Sequence, residues 1–148
     1  MDISLNSNVR IVAKDEILFR EGEAANKIFL IKSGAILCLK KSKDRLVPVY
    51  SATNQNVIGE EAVLTRTGYS YTAVVSESAQ VVEVDAKLVT KTLDEAPYWL
   101  GALMATLGER FNGTADAVSE HRIFAPELAG DQELSAQEET RLKKLINQ

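Results

Sequence analysis

The sequence predicts a mainly β domain, an antiparallel sandwich or barrel, followed by C-terminal helices. Three observations carry this. Short runs of Val, Ile, Leu and Phe recur between Val9 and Val89, each cut by Gly, Pro, Asn, Asp or Ser. After Asp85 the apolar spacing changes to that of a helix, with Leu100, Leu103, Leu107 and Phe111 three or four residues apart. The chain has 148 residues, 45% hydrophobic and 26% charged, enough apolar material for one packed domain.

In order, residues 9–12 form one short β run and Ile17-Leu18-Phe19 a second, ended by Glu21-Gly22-Glu23. Ile28-Phe29-Leu30-Ile31 is a third, and Lys32-Ser33-Gly34 is read as the turn of a hairpin leading into Ala35-Ile36-Leu37-Cys38-Leu39. Lys40, Lys41, Lys43 and Arg45, four of the 17 positive charges, make a polar loop, either solvated or facing an acidic partner. In Leu46-Val47-Pro48-Val49-Tyr50, Pro48 cannot donate to a ladder, which predicts an edge strand or a bulge. Val57-Ile58, residues 72–75 and residues 81–84 complete the β region. Asp85 caps a helix to Leu93, and Pro97 opens a longer one reaching Arg122. Residues 124–134 read as a linker, and Ser135-Ala136-Gln137-Glu138 as a capping box before Leu142, Leu145 and Ile146. The chain thus divides into residues 1–122 and a tail, 123–148.

Composition narrows function. A net charge of −4 argues against nucleic-acid binding by bulk electrostatics. One cysteine, Cys38, excludes an internal disulfide and reads as a buried strand residue. His121 is the one histidine, so a His/Cys metal site is not expected. There is no nucleophile–base pair and no phosphate-cradling glycine loop of a nucleotide enzyme, so neither an enzyme nor a cofactor is expected. No apolar run is long enough to span a bilayer, and the N-terminus lacks a signal peptide's basic and apolar regions; a soluble, cytoplasmic protein is expected.

The segment Ile58-Gly59-Glu60-Glu61-Ala62-Val63-Leu64, continuing to Tyr69-Ser70-Tyr71-Thr72-Ala73, reads as strand end, glycine turn, short helix, loop and strand. A helix start after glycine exposes backbone N–H groups to an anion. This segment resembles the phosphate-binding cassette of the cyclic nucleotide-binding domain family, and Phe19-Arg20-Glu21-Gly22 and Lys32-Ser33-Gly34 resemble that family's earlier turns. The resemblance covers residues 9–122. It implies an antiparallel, jelly-roll-like β-roll with helices appended, organised like the catabolite-activator-like regulators, whose long helix often dimerises. It also implies a ligand site at Gly59, Glu60, Glu61, Ala62, Arg66, Tyr69, Ser70 and Tyr71.

Three departures from the family pattern stand out. Tyr69 and Ser70 stand where the phosphate arginine belongs, Gln55-Asn56 replaces Gly-Asp, and Glu61 replaces an apolar residue. Arg66 is the available substitute cation. Glu60 can accept from a ribose hydroxyl or satisfy the helix start, and Tyr69 and Tyr71 can stack on a base or fill the emptied pocket. Only 26 residues follow Arg122, too few and too acidic for a helix-turn-helix, so DNA binding by this chain is not expected. The reading is a stand-alone regulatory or adaptor module acting on an unidentified protein partner. The alternative is a second-messenger receptor that takes a cyclic nucleotide without the arginine. Leu100, Leu103, Met104, Leu107 and Phe111 are the expected homodimer face, with Gly101, Ala105 and Gly108 as a small-residue face for close helix approach.

Overall fold

The computed structural model describes residues 9–121 and 134–148, and side chains within those spans except 115–121. Its elements are β1 (Val9–Val12), β2 (Ile17–Phe19), β3 (Lys27–Ser42), β4 (Arg45–Ala52), β5 (Val57–Ile58), α1 (Glu60–Thr65), β6 (Thr72–Asp85), α2 (Ala86–Glu95), α3 (Tyr98–His121) and α4 (Ala136–Ile146). The first eight residues and all but the last residue of the linker read over residues 124–134 lie outside the described residues, as do the side chains of Ala115, Val118 and His121.

The strands form an antiparallel β-roll ordered β1-β6-β3-β4, with β2 added on β6 and β5 on β3. Two long strands make its spine. β6 pairs with β3 from Lys27↔Asp85 to Leu39↔Thr72. Residues 72–75 and 81–84, read as separate runs, belong to this one strand. The expected hairpin at Lys32-Ser33-Gly34 is also corrected. Both halves of β3 stay on β6, and the ladder shifts register three times between Ile31 and Ile36. Such irregularities bend a strand without ending it. Gly34 makes this possible. Its φ is +84°, and a Cβ there would lie 2.3 Å from the Ser78 carbonyl oxygen.

Pro48 sits on β4, the outer strand of the path, opposite a register shift between Cys38 and Leu39. The ladder thus skips a bond where proline has no N–H to give. Inside the roll, Val12, Ile31, Ile36, Cys38, Ile58, Val75 and Val81 are fully buried. Asp85 caps α2 by accepting from Lys87 N–H at 2.8 Å.

α4 docks on the outside of the roll. Ser135 Oγ accepts from Glu138 N–H at 3.1 Å, and Leu142 is 2% exposed in a satellite core with Leu39, Leu46 and Val74. Glu139, also buried, accepts from Arg45 Nε and from the Leu46 N–H, each at 2.9 Å. The Arg45 bond is the main reason its pKa falls to about 2. One half of the expected capping box is absent, because the Glu138 carboxylate pairs with Arg141.

Gly34→Ala combines a left-handed φ with a backbone clash, and is expected to cost about 2–4 kcal/mol. Urea unfolding of the two proteins checks this. A loss under about 0.5 kcal/mol, the range of ordinary surface substitutions, would show that the bend does not depend on glycine.

Candidate functional site

Gly59 precedes α1 with φ +82°, and no side chain caps the helix start. Its own N–H donates to Tyr71 Oη at 3.0 Å. Tyr71 is 1% exposed, and its hydroxyl donates onward to Glu61 Oε2 at 3.3 Å. Ser70 Oγ–H donates to the other oxygen, Glu61 Oε1, at 3.2 Å. The backbone N–H groups of Glu61 and Ser70 also favour the charged carboxylate. Glu61 is fully buried. An anion therefore already lies among the donors around the glycine turn, supplied by the helix itself.

Burial nonetheless pushes the Glu61 pKa up, and these hydrogen bonds only partly oppose it. Glu60 lies beside it. Burial, and then the charge of Glu61, raise the Glu60 pKa from 4.5 to about 7. Its Oε2 is buried with no hydrogen-bond partner, as is Asn112 Oδ1 on α3. The thiol of Cys38 and the phenol of Tyr71 are both pushed well up, by burial first and by neighbouring charge second. The interior beside the cassette is thus acidic and hydroxyl-lined.

Of the residues at the expected arginine position, Tyr69 is core. Its ring stacks on Phe19 at 3.8 Å, and its hydroxyl donates to the Lys27 carbonyl at 2.6 Å. Ala62 is fully buried under the same wall. Arg66 ends α1 with φ 56°, and its exposed guanidinium lies 3.6 Å from Asp94. The structure therefore brings Gly59, Glu60, Glu61, Ala62, Tyr69, Ser70 and Tyr71 together, and places Arg66 at the other end of α1. Among the described residues, a cation that does reach this loop is Lys40. Its ammonium donates to the Ser70 carbonyl at 2.8 Å and to Glu21 Oε1 at 3.3 Å, with its side chain 14% exposed. Read from sequence as part of a polar loop, either solvated or facing an acidic partner, Lys40 in fact lies within the last residues of β3, with its ammonium on the Ser70 carbonyl. Its position in a run of lysines carried no signal of this.

The face assignment on α3 also changes. Phe111 turns inward, its ring edge-on to Tyr50 at 6.4 Å and to Tyr71 at 6.0 Å. Leu100 and Met104 are half-buried, while Leu103 and Leu107 remain about half exposed, joined by Trp99 at 65%. Gly108 faces α1, where a Cβ would meet Thr65 at 3.2 Å. Of the expected small-residue face, Gly108 thus serves a contact within the chain, while a Cβ at Gly101 would meet nothing within 4 Å.

Among the described residues no group of His, Cys, Asp and Glu could hold a metal ion, and no helix is long and apolar enough to cross a membrane.

The fold is shared with solved structures. One is the EAL enzyme Bd1971 in its cAMP-bound form, at TM-score 0.69 and 20% identity over 76% of this chain and 30% of that one. Another is a candidate cyclic nucleotide binding protein from Ruegeria pomeroyi DSS-3, at TM-score 0.61 and 19% identity over 82% and 54%. A third is the regulatory subunit of a cAMP-independent protein kinase A from Trypanosoma brucei, at TM-score 0.51 and 14% identity over 65% and 40%. This chain spans under two thirds of each. No curated protein matches its sequence significantly.

The raised Glu60 pKa gives a pH dependence of stability. Below pH 4.5 the carboxyl is protonated in folded and unfolded chains alike and contributes nothing. Between 4.5 and 7 the unfolded chain ionises and the folded one resists, so stability falls as pH rises, by roughly 3 kcal/mol at most. Glu60→Gln is expected to raise stability by about 1–3 kcal/mol at pH 8 and to change little at pH 4.5. Urea midpoints at the two pH values decide this, and an equal effect at both would rule out a buried ionisation.

The model for the cyclic nucleotide-binding domain matches residues 9–96, more than half of the sequence and the whole of the roll and cassette just described, so the chain belongs to the cyclic nucleotide-binding domain family.

Proposed function

We propose that this chain is a regulatory module of cyclic nucleotide-binding fold that acts by contact with another protein, its cassette closed by its own Glu61 carboxylate. The observation that carries this reading is the set of bonds from Ser70 Oγ and Tyr71 Oη to Glu61. A cyclic nucleotide brings a phosphate monoanion. To bind in the usual way it would have to displace a buried carboxylate, find no arginine at Tyr69 or Ser70, and approach the second carboxylate of Glu60. Leaving one member of a buried charge pair without its partner costs about 3–5 kcal/mol, at least a hundredfold in affinity. The shared fold of the regulatory subunit of a cAMP-independent protein kinase A is in keeping with this reading. The output is reversible association, with no bond broken and no resident cofactor.

The exposed stripe of Trp99, Leu103 and Leu107 recurs every four residues along α3, which suits pairing with a second copy of the chain. Leu100, Met104 and Phe111 then support this face from beneath instead of forming it.

Isothermal titration with cAMP and cGMP tests the ligand half of the reading. The expected result is no saturable heat at millimolar ligand. Saturable heat at micromolar ligand, lost in Glu60→Ala, would instead make the chain a second-messenger receptor working without the arginine.

Light scattering tests the pairing. A dimer is expected for the wild type and a monomer for Leu107→Asp, with both equally folded by circular dichroism. A wild-type monomer ends the idea.

A further inference from the structure

A cleft of about 790 Å³ lies between the outside of the roll and α4. Ligand sites commonly fall in the range of about 300–1,000 Å³. It shares no lining residue with the candidate site between Gly59 and Tyr71, and Thr72, the first residue of β6, is the point where the two come nearest in sequence. Arg20, Lys41, Lys43 and Lys143 line it against Glu21 and Asp44, while Leu46, Ile146 and Thr72 supply further wall. The lining thus carries more positive than negative charge in a chain whose net charge is −4.

How these charges are already used sharpens the point. Glu21 is engaged twice, accepting from the Lys40 ammonium at 3.3 Å and from the Lys41 N–H at 2.9 Å. Lys143 pairs with Glu139 at 3.2 Å and also donates to the Asp44 carbonyl. Arg20 gives Nε to the Ile146 carbonyl at 3.0 Å, and NH1 reaches Glu23 only at 3.8 Å. The ammonium groups of Lys41 and Lys43 have no carboxylate partner among the described residues. Two ammonium groups without a carboxylate partner among the described residues, and part of a guanidinium fork, therefore face a cleft with an apolar wall. Low-dielectric walls focus such a field.

We propose that this cleft is a second binding site, for a small organic anion of nucleotide size. Its two or more negative charges lie between Lys41, Lys43 and Arg20, and its apolar body rests on Leu46 and Ile146. Because the walls belong to both the roll and α4, such a ligand holds the helix in place, and its binding is linked to helix docking.

The test is an amide NMR titration of the full chain with ATP, pyrophosphate, adenosine and a tetraglutamate peptide. The expected result is saturable shifts at Lys41, Lys43 and Lys143 with ATP, weaker ones with pyrophosphate and none with adenosine. K41E/K43E, two exposed substitutions, should weaken ATP by at least about tenfold with the dispersion of the spectrum unchanged. Exchange of the α4 amides should slow with ATP in the wild type and not in the variant. The proposal is overturned by no shift at millimolar ATP, by equal affinity in the variant, or by shifts centred on Gly59 to Ala62. Tighter binding of tetraglutamate than of ATP also overturns it, assigning the surface to an acidic protein partner.

Discussion

The ladder between β3 and β6 is the constraint on which the rest of the structure hangs. It runs from Lys27↔Asp85 to Leu39↔Thr72, while β6 also carries β1 and β2, and β3 carries β4 and β5. Every strand is thus referred to one of two chain segments. The cassette is fixed by the same ladder at both ends. β5 delivers Gly59 from its pairing with Phe29 and Leu30, and β6 begins immediately after Tyr71. Side chains alternate across a strand, so the register that buries Ala73 and Val75 sends Tyr71 inward as well. The tyrosine hydroxyl has little freedom to be anywhere but at the helix start.

That placement explains how a carboxylate survives inside the roll. Hydrogen bonds to a charged group contribute about 1.5–3 kcal/mol each, whereas removing a carboxylate from water costs several. Glu61 has two hydroxyl donors and two backbone N–H groups, yet its pKa still rises, so desolvation wins by a margin. Glu60 has less support and rises further, to about 7. Glu60 is consequently a group that holds its proton up to near neutral pH.

Much of the architecture was legible because its signals were local. The β-to-helix change of period, the Asp85 and Ser135 caps and the trouble Pro48 causes in a ladder all act within a few residues. The hairpin at Gly34 was misread for the same reason. Glycine with positive φ serves a turn or a bulge equally well, and only the partner strand, some 45 residues away, decides between them. The cassette was legible as an order of residues, Gly59 then Glu60 then Ala62. The presence of Lys40 was not, because which lysine of a run turns inward depends on where β3 ends. Nor did helical spacing reveal that Phe111 belongs to the core. It marks an apolar stripe without saying which part of it a neighbour covers.

The helices give the interior charge a route outward. Thr65 Oγ donates to the Glu61 carbonyl at 2.6 Å, and Gly108 lets α3 approach Thr65 closely. One turn further along α3, Phe111 touches Tyr71, the residue that hydrogen-bonds both Gly59 and Glu61. α3 is therefore packed directly on the acidic cassette along one side, while Trp99, Leu103 and Leu107 stay exposed on it. Tightly packed elements move as units and do not deform continuously. The contacts of Gly108 with Thr65 and of Phe111 with Tyr71 thus join α3 to both ends of the hydrogen-bond network around Glu61.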